Sequence, residues 1–370
     1  MTPTQYELAS TLLPGIGSKL SKILISYCGS AEAVFTSPIQ KIRKTPGIGE
    51  KTIATIQAHR EVALRQSEEI LNDCERKGID VYHYTSDQYP TRLKQVADAP
   101  PVLFTRGNAS LNQPKTVAIV GTRKATEYGK RITEEIVEQL KPHQPVIISG
   151  LAYGIDITAH KAALKHDLPT FGILAGGLDS IYPAVHKDIA FKMQQHGALI
   201  SENKPGTTPD FHLFPERNRI IAGMADVVIV VEAAQKGGAL ITADIAYGYE
   251  KMLFAVPGDI DREFSAGCNY LIRTQKANIY TGISDLEYLM HWEKGQSAEK
   301  APDLDLEAFD TKEQPIIKVL LANKEGILID ELSWKAQVSM NEAASILLNL
   351  EFQGIVKSLP GKRYKLKRRF

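Results

Sequence analysis

Cysteine is scarce in this chain. Three residues in 370, Cys28, Cys74 and Cys268, lie far apart with no Cys-x-x-Cys pair. That spacing argues against a zinc ribbon or a disulfide framework and suits a reducing compartment. Long apolar runs are missing too, and none approaches the roughly 18 residues of a membrane span. The start, MTPTQYELAS, lacks the basic stretch and apolar core of a secretory signal. A cytoplasmic protein without membrane contact is the expectation. There is no excess of either charge: 44 Lys and Arg stand against 43 Asp and Glu, a net of +1, so any electrostatic preference has to be local.

Catalytic signatures are absent as well. There is no His-Glu-x-x-His, no Gly-x-Ser-x-Gly, and no cysteine–histidine pair at a recognisable spacing. The Walker A lysine is lacking, and so is the glycine fingerprint of dinucleotide binding. After the first α/β strand come Gly121-Thr122-Arg123 and no further glycine until Gly129. These absences disfavour a simple enzyme: no catalytic residue, metal ligand or cofactor is assigned.

What is present falls into segments. Residues 1–66 read as a small all-α domain of helix-hairpin-helix type, with an internal echo, LLPGIGSKLSKIL at 12–24 and KTPGIGEKTIATI at 44–56. Each echo sets Pro-Gly-Ile-Gly before a helix with apolar residues three and four apart. The two turns either bind phosphate or only join helices. Residues 67–114 read as a connecting region packed on the next domain, with strand candidates GIDVYHY and PPVLFTRG. From Lys115 to about 292, seven apolar strands alternate with helices: TVAIVG, PVIISG, TFGILAGG, GALISE, VVIVVE, MLFAVPG and ANIYTG. Nearly continuous apolar strands predict a parallel sheet covered on both faces, hence a doubly wound, Rossmann-like α/β domain. Residues 293–313 hold seven acids and three bases, an acidic linker. Residues 314–370 read as three helices and a hairpin, a winged helix whose third helix is opened by Ser339 and Glu342 as a capping box and closed by Gly354.

In a doubly wound sheet the ligand sits beyond the carboxyl ends of the strands. Every such loop here contains glycine, which lets backbone amides approach a ligand. The stretch FHLFPERNRIIAGMADVVIVVE reads as a short helix feeding a buried strand, with Arg217 and Arg219 in the helix's first turn. Cations there oppose the helix dipole by up to ~1 kcal/mol each, an arrangement an anion would reverse. With Arg123, Lys124 and Lys236 they make a rim of up to five cations, beside Phe211, His212 and Phe214. Stacking rings in a basic groove hold single-stranded nucleic acid. Plainer readings stand beside this one. The arginines could pair with Glu216 or Asp226, the phenylalanines could pack inward, and Asp156 could be a helix N-cap rather than half of an acid–base or metal pair with His160.

The segments VAIVGTR, SGLAYGIDITAH, GGLDSIYP, LISENKPG, FPERNRIIAG, VVIVVEA, GGALITADIA, FAVPGDI and GCNYLIR, in this order over about 115–280, resemble the DNA-processing protein A family, also called DprA or Smf. The helical start and the winged helix fit that family's layout. The resemblance implies a non-enzymatic protein of natural transformation (competence) and DNA recombination. Such a protein binds and protects incoming single-stranded DNA, helps load the RecA recombinase, and forms a homodimer through its Rossmann-like domain. It implies DNA contacts at Arg123, Phe214, Arg217, Asn218, Arg219 and Lys236, and the loops themselves add Gly121, Thr122, Lys124, Phe211, Gly237 and Gly238 as expected DNA-binding residues. One departure is Phe211, where some relatives carry a base. The competing expectation is a nucleotide-processing enzyme like the phosphoribohydrolases ("lysine decarboxylase-like" proteins). Those need Gly-Thr where this chain has Leu240-Ile241, and an acid at Asp244. The third winged-helix segment, 339–353, has no Lys or Arg, and the bases gather at Lys362, Arg363, Lys365, Lys367, Arg368 and Arg369. Non-specific duplex contact through this tail, or docking on protein, is expected rather than base reading.

Overall fold

The computed structural model describes residues 1–292, 309–323, 326–359 and 362–366. Most of the expected linker and the bases Lys367, Arg368 and Arg369 lie outside the described residues. The chain divides into two units, residues 1–295 and 296–370, each taken by itself below. No helix among the described residues is long and apolar enough to cross a membrane.

The first unit begins with α1 (Pro3–Thr11), α2 (Ser18–Cys28), α3 (Ala31–Thr36), α4 (Ile39–Arg43) and α5 (Glu50–Lys77). The sequence echo has a structural counterpart. Gly15 and Gly47 take left-handed φ angles of 72° and 78°, which a side chain would strain. Gly17 and Gly49 are the N-caps of α2 and α5. Leu13, Ile16, Leu24, Val34, Ile42 and Ile56 close a small core among these helices. The expected domain boundary at residue 66 falls inside α5, which runs unbroken to Lys77 and stops at Gly78 in the left-handed conformation.

Nine strands follow in one sheet: β1 (Asp80–His83), β2 (Val102–Gly107), β3 (Thr116–Val120), β4 (Val146–Ser149), β5 (Thr170–Ile173), β6 (Ala198–Ser201), β7 (Val227–Val230), β8 (Met252–Ala255) and β9 (Asn278–Ile279). Their order is β1-β2-β6-β5-β4-β3-β7-β8-β9. From β6 to β9 the sheet is parallel, as the seven apolar segments predict. The connecting region does more than pack on it: β2 joins β6 antiparallel and β1 joins β2 antiparallel, so the sheet is mixed at that edge.

The helices are α6 (Thr91–Lys94), α7 (Glu127–Leu140), α8 (Ile155–Lys165), α9 (Lys187–His196), α10 (Leu213–Met224), α11 (Gly238–Gly248), α12 (Ala266–Arg273) and α13 (Ile283–Met290). Alternation along β3 shows how both sheet faces are covered. Val117 and Ile119 enter the core with Ile136 and Leu140 of α7 and Ala159 of α8. Ala118 and Val120 enter the opposite core with Ile220 of α10 and Ala243 of α11. Each such fully buried Val or Ile is worth ~1.5–3 kcal/mol. A third cluster sets Leu8 of α1 and Cys74 of α5 against Met193 of α9 and Phe104 of β2, so the helical segment shares a core with the sheet.

The second unit contains α14 (Gln314–Ala322), β10 (Ile327–Leu328), α15 (Ile329–Ala336), α16 (Met340–Phe352), β11 (Val356–Leu359) and β12 (Arg363–Leu366). Ser339 caps α16, accepting from the Glu342 amide at 3.3 Å. Three helices and a three-stranded sheet ordered β10-β12-β11 make the expected winged helix.

Candidate single-strand binding cleft

The order of the parallel strands reverses between β3 and β7, since β4 continues one way and β8 the other. A doubly wound sheet opens its ligand crevice at that point. Here a cleft of about 870 Å³ lies beyond the ends of β3 and β7, walled by the loop after each strand and by α10.

Backbone geometry holds the first loop closely. The Thr122 amide donates to the Glu232 carbonyl at 2.7 Å, and the Ile155 amide to the Thr122 carbonyl at 3.2 Å. The Glu232 carboxylate, 5% exposed, accepts from the Thr126 amide at 3.0 Å and from its hydroxyl at 2.5 Å. Gly154, with φ 78°, lies so close that a Cβ would overlap the Thr122 carbonyl. Arg123 is thereby carried on a loop pinned at both ends.

Arg123 is exposed, and its guanidinium carbon lies 5.1 Å from the centroid of the Phe214 ring. That is within cation–π range and leaves the guanidinium's donors free for a phosphate. The Tyr182 ring stands 6.0 Å from that of Phe214, tilted against it by 56°. Lys124 and Lys236 are exposed along the rim, and Phe211 is 78% exposed, so it faces outward. Asn218 donates to the Gly238 carbonyl at 3.3 Å and so ties α10 to the second loop. Gly121, Thr122, Arg123, Lys124, Phe211, Phe214, Arg217, Asn218, Lys236, Gly237 and Gly238 all line the cleft.

Arg219 does not. It pairs with Glu202 and donates to the Asp98 carbonyl at 2.5 Å, away from the cleft. The expected five-cation rim is therefore three exposed cations, with Arg217 beneath them. The helix also begins earlier than the sequence suggests, at Leu213, which puts both arginines in its second turn, where the dipole penalty has faded. Neither arginine pairs with Glu216, and Asp226 is held instead by Arg92 at 2.5 Å. Arg217 is 6% exposed and donates to the Ile173 carbonyl at the end of β5. Burial pulls its guanidinium down, partly opposed by Asp156.

Asp156 is not an N-cap. Gly154 holds that place, and Asp156 is the second residue of α8, 7% exposed. Burial pushes its carboxyl up while Arg217 pulls it down. His160 is fully buried, with Nε2–H donating to the Gly150 carbonyl and Nδ1 2.7 Å from the Thr170 hydroxyl. Both ring nitrogens are thus engaged. Asp244, the acid that the phosphoribohydrolase expectation requires, pairs with Lys276 at 2.7 Å and does not line the cleft.

Four residues of the site escape sequence reasoning. Tyr182 sits inside the quoted GGLDSIYP, where nothing marks its ring as facing Phe214. Glu232 ends an apolar strand, and an acid in that setting signals a buried partner. Asp210 and Glu263 also line the cleft, so its field is not uniformly positive.

The protein Smf of Escherichia coli (strain K12) is 34% identical over 294 residues, 76% of this chain and 76% of that protein. Among solved structures, DNA processing protein A (DprA) from Streptococcus pneumoniae gives a TM-score of 0.68 at 31% identity, over 79% of this chain and 99% of that one. DNA processing protein A from Helicobacter pylori, described for its single-stranded DNA binding mode, gives 0.52 at 29% identity, over 58% of this chain and 95% of that one. A family model described as the DprA winged helix domain matches residues 298–362, and one described as DNA recombination-mediator protein A matches 80–291. With more than half of its length matched by that model, the chain belongs to the DNA recombination-mediator protein A family.

Proposed function

We propose that this chain is a DNA-processing protein that binds single-stranded DNA in the cleft between the β3 and β7 loops, without catalysing a reaction on it. The observation that carries this reading is Arg123 poised over Phe214 at the topological switch point. One residue offers a bidentate phosphate contact and the other a face for a base. Exposed Lys124 and Lys236 add charge along the rim, and the open backbone at Gly237 lets a phosphodiester approach. The names of its relatives, DNA processing protein and single-stranded DNA binding, point the same way.

On this reading the protein serves natural transformation and recombination: it protects an incoming strand and helps load RecA. A homodimer through the Rossmann-like domain is part of the proposal. The sheet ends at the two-residue β9, and Ile241, Tyr247, Tyr270 and Ile279 expose apolar surface on α11, α12 and β9. The winged helix is assigned duplex contact through its basic end, or protein docking.

The deciding experiment is binding of single- and double-stranded oligonucleotides across a salt series, with native protein and Arg123→Ala. The expected result is a preference for the single strand, affinity falling steeply with salt, and a shallower slope in the variant, by about 0.7 per lost phosphate contact. Binding that is indifferent to strand type and to Arg123 would sink the proposal. Release of free base from a nucleoside monophosphate would return the enzyme reading. RecA assembly on the bound strand, with and without the chain, tests the loading role separately.

A further inference from the structure

The helices packed side by side on one face of the sheet share charge unevenly. α7 carries Glu127, Glu134, Glu135 and Glu138, and its two bases are already engaged, Lys130 by Glu127 at 2.7 Å and Arg131 by Glu135 at 2.8 Å. Lys161 and Lys165 of α8 and Lys187 and Lys192 of α9 are all exposed, and none has an acid within ion-pairing distance among the described residues. The exposed acids on these two helices and the turn after α8 are Asp188 and Asp167, too few to neutralise four lysines. The result is a positive field over α8 and α9 beside a negative one over α7.

Aromatic and apolar side chains run through that positive surface. Phe191, between Lys187 and Lys192, is 63% exposed and Val185 is 69% exposed. The surface is continuous with the cleft. Tyr182 lines the cleft, and Tyr153 lines a small recess shared with Arg123 and Phe214. The Tyr153 ring lies 5.0 Å from that of His186, the residue immediately before α9. A three-residue turn, Ala184–His186, therefore connects the rim to Lys187. Lys192 stands about 7.5 Å farther along the helix axis.

We propose that the α8–α9 face is a second binding segment for single-stranded DNA, a track that takes the strand as it leaves the cleft. Lys187 and Lys192 hold its phosphates, and Phe191 supplies a stacking face between them. Cations alternating with an exposed ring suit a strand whose bases are unpaired, and sequence-tolerant binding follows from that chemistry. The proposal rests on the cleft reading above and extends it to a strand longer than the cleft can hold.

The test measures binding of oligothymidylates about 6 and about 20 nucleotides long to the full chain across a salt series. Native protein is compared with Lys187→Gln/Lys192→Gln and with Phe191→Ala. The double variant should bind the long strand about tenfold more weakly, with a salt slope shallower by about 1.4 for two phosphates lost, and bind the short strand as before. Phe191→Ala should lose about fivefold or more on the long strand by stacking alone, with the slope intact. Unchanged long-strand binding in both variants overturns the track and leaves this face to an acidic protein. Equal losses on both lengths overturn it too, because the lysines then act on the cleft itself. A short strand indifferent to Arg123→Ala is a separate result: it defeats the cleft reading, whatever the track variants do.

Discussion

Asp156 and Arg217 face each other across Gly150, where a single Cβ would overlap both the carboxylate and the guanidinium. Neither side chain reaches much solvent, and each partly compensates the other's charge. Gly150→Ala should therefore force them apart and cost about 1–3 kcal/mol by overpacking. Asp156→Asn, which strands a buried cation, should cost about 3 kcal/mol. Urea unfolding of the two variants measures both, and a loss below ~0.5 kcal/mol in each would mean the pair relaxes freely.

His160 gives the fold an acid-side sensitivity. Burial, with Arg217 and His186 nearby, holds its imidazole down at about 4 against an ordinary 6.5. The folded state thus prefers the neutral ring more strongly than the unfolded chain does. That preference stabilises fully above pH 6.5 and is lost as pH falls through 4. It amounts to something on the order of 3 kcal/mol. His160→Gln keeps a donor for the Gly150 carbonyl and does not titrate. The stability advantage of native protein over this variant should shrink between pH 6.5 and 4, and a difference that stays flat would contradict the assignment.

Arg219→Ala separates the two arginines of one motif. Its partner Glu202 is largely buried, and burial pushes that carboxyl up against the pull of Arg219. Removing the arginine should cost about 3 kcal/mol of stability, while the salt slope for single-stranded DNA stays at its native value. A slope shallower by one phosphate's share would place Arg219 at the DNA after all.

Gly237 offers the reverse case. Its backbone is extended, with φ 166°, and nothing lies within 4 Å of an added Cβ. Gly237→Val should melt within about 0.5 kcal/mol of native yet bind single strands at least fivefold more weakly, because the branched side chain fills the approach to the backbone. Native affinity in a stably folded variant would remove this loop from the interface.

Glu232 acts on the cleft through the loop it pins. Glu232→Ala leaves the Thr126 amide without its acceptor and should cost about 1–3 kcal/mol together with DNA affinity, as Arg123 loses its fixed position. Glu232→Gln keeps one acceptor and should restore most of the affinity. If alanine and glutamine bind alike, the carboxylate holds nothing that Arg123 needs.

Sequence pattern made the strands of the parallel sheet legible because each is a short apolar run bounded by glycine and small polar residues. The loops of the site were legible for a related reason: those glycines lie where a doubly wound sheet must open. Partners were not legible. Nothing local in FPERNR distinguishes Arg217, which turns under the cleft toward Ile173, from Arg219, whose partner Glu202 lies in another loop. Strand pairing is equally non-local. GIDVYHY and PPVLFTRG each read as strands, but the antiparallel register of Phe104 with Ser201 depends on residues nearly a hundred positions apart. The far half of α5 hid for a third reason. Its fully buried positions there are the small Ala63, Ser67 and Cys74, and the larger Leu64, Ile70 and Leu71 beside them are only partly buried, so the apolar stripe is weak.

That helix has a mechanical meaning. At 28 residues it is about 42 Å long, with the second Pro-Gly-Ile-Gly turn at one end and Lys77 at the other. Lys77 grips Asp179 at 2.9 Å, and Asp179 in turn holds the Gly206 amide at 2.9 Å, both in loops at the carboxyl ends of β5 and β6. The rod is a strut between the small helical layer and the mouth of the sheet. A cut at residue 66 would fall within this helix and saw the strut in half rather than free a module.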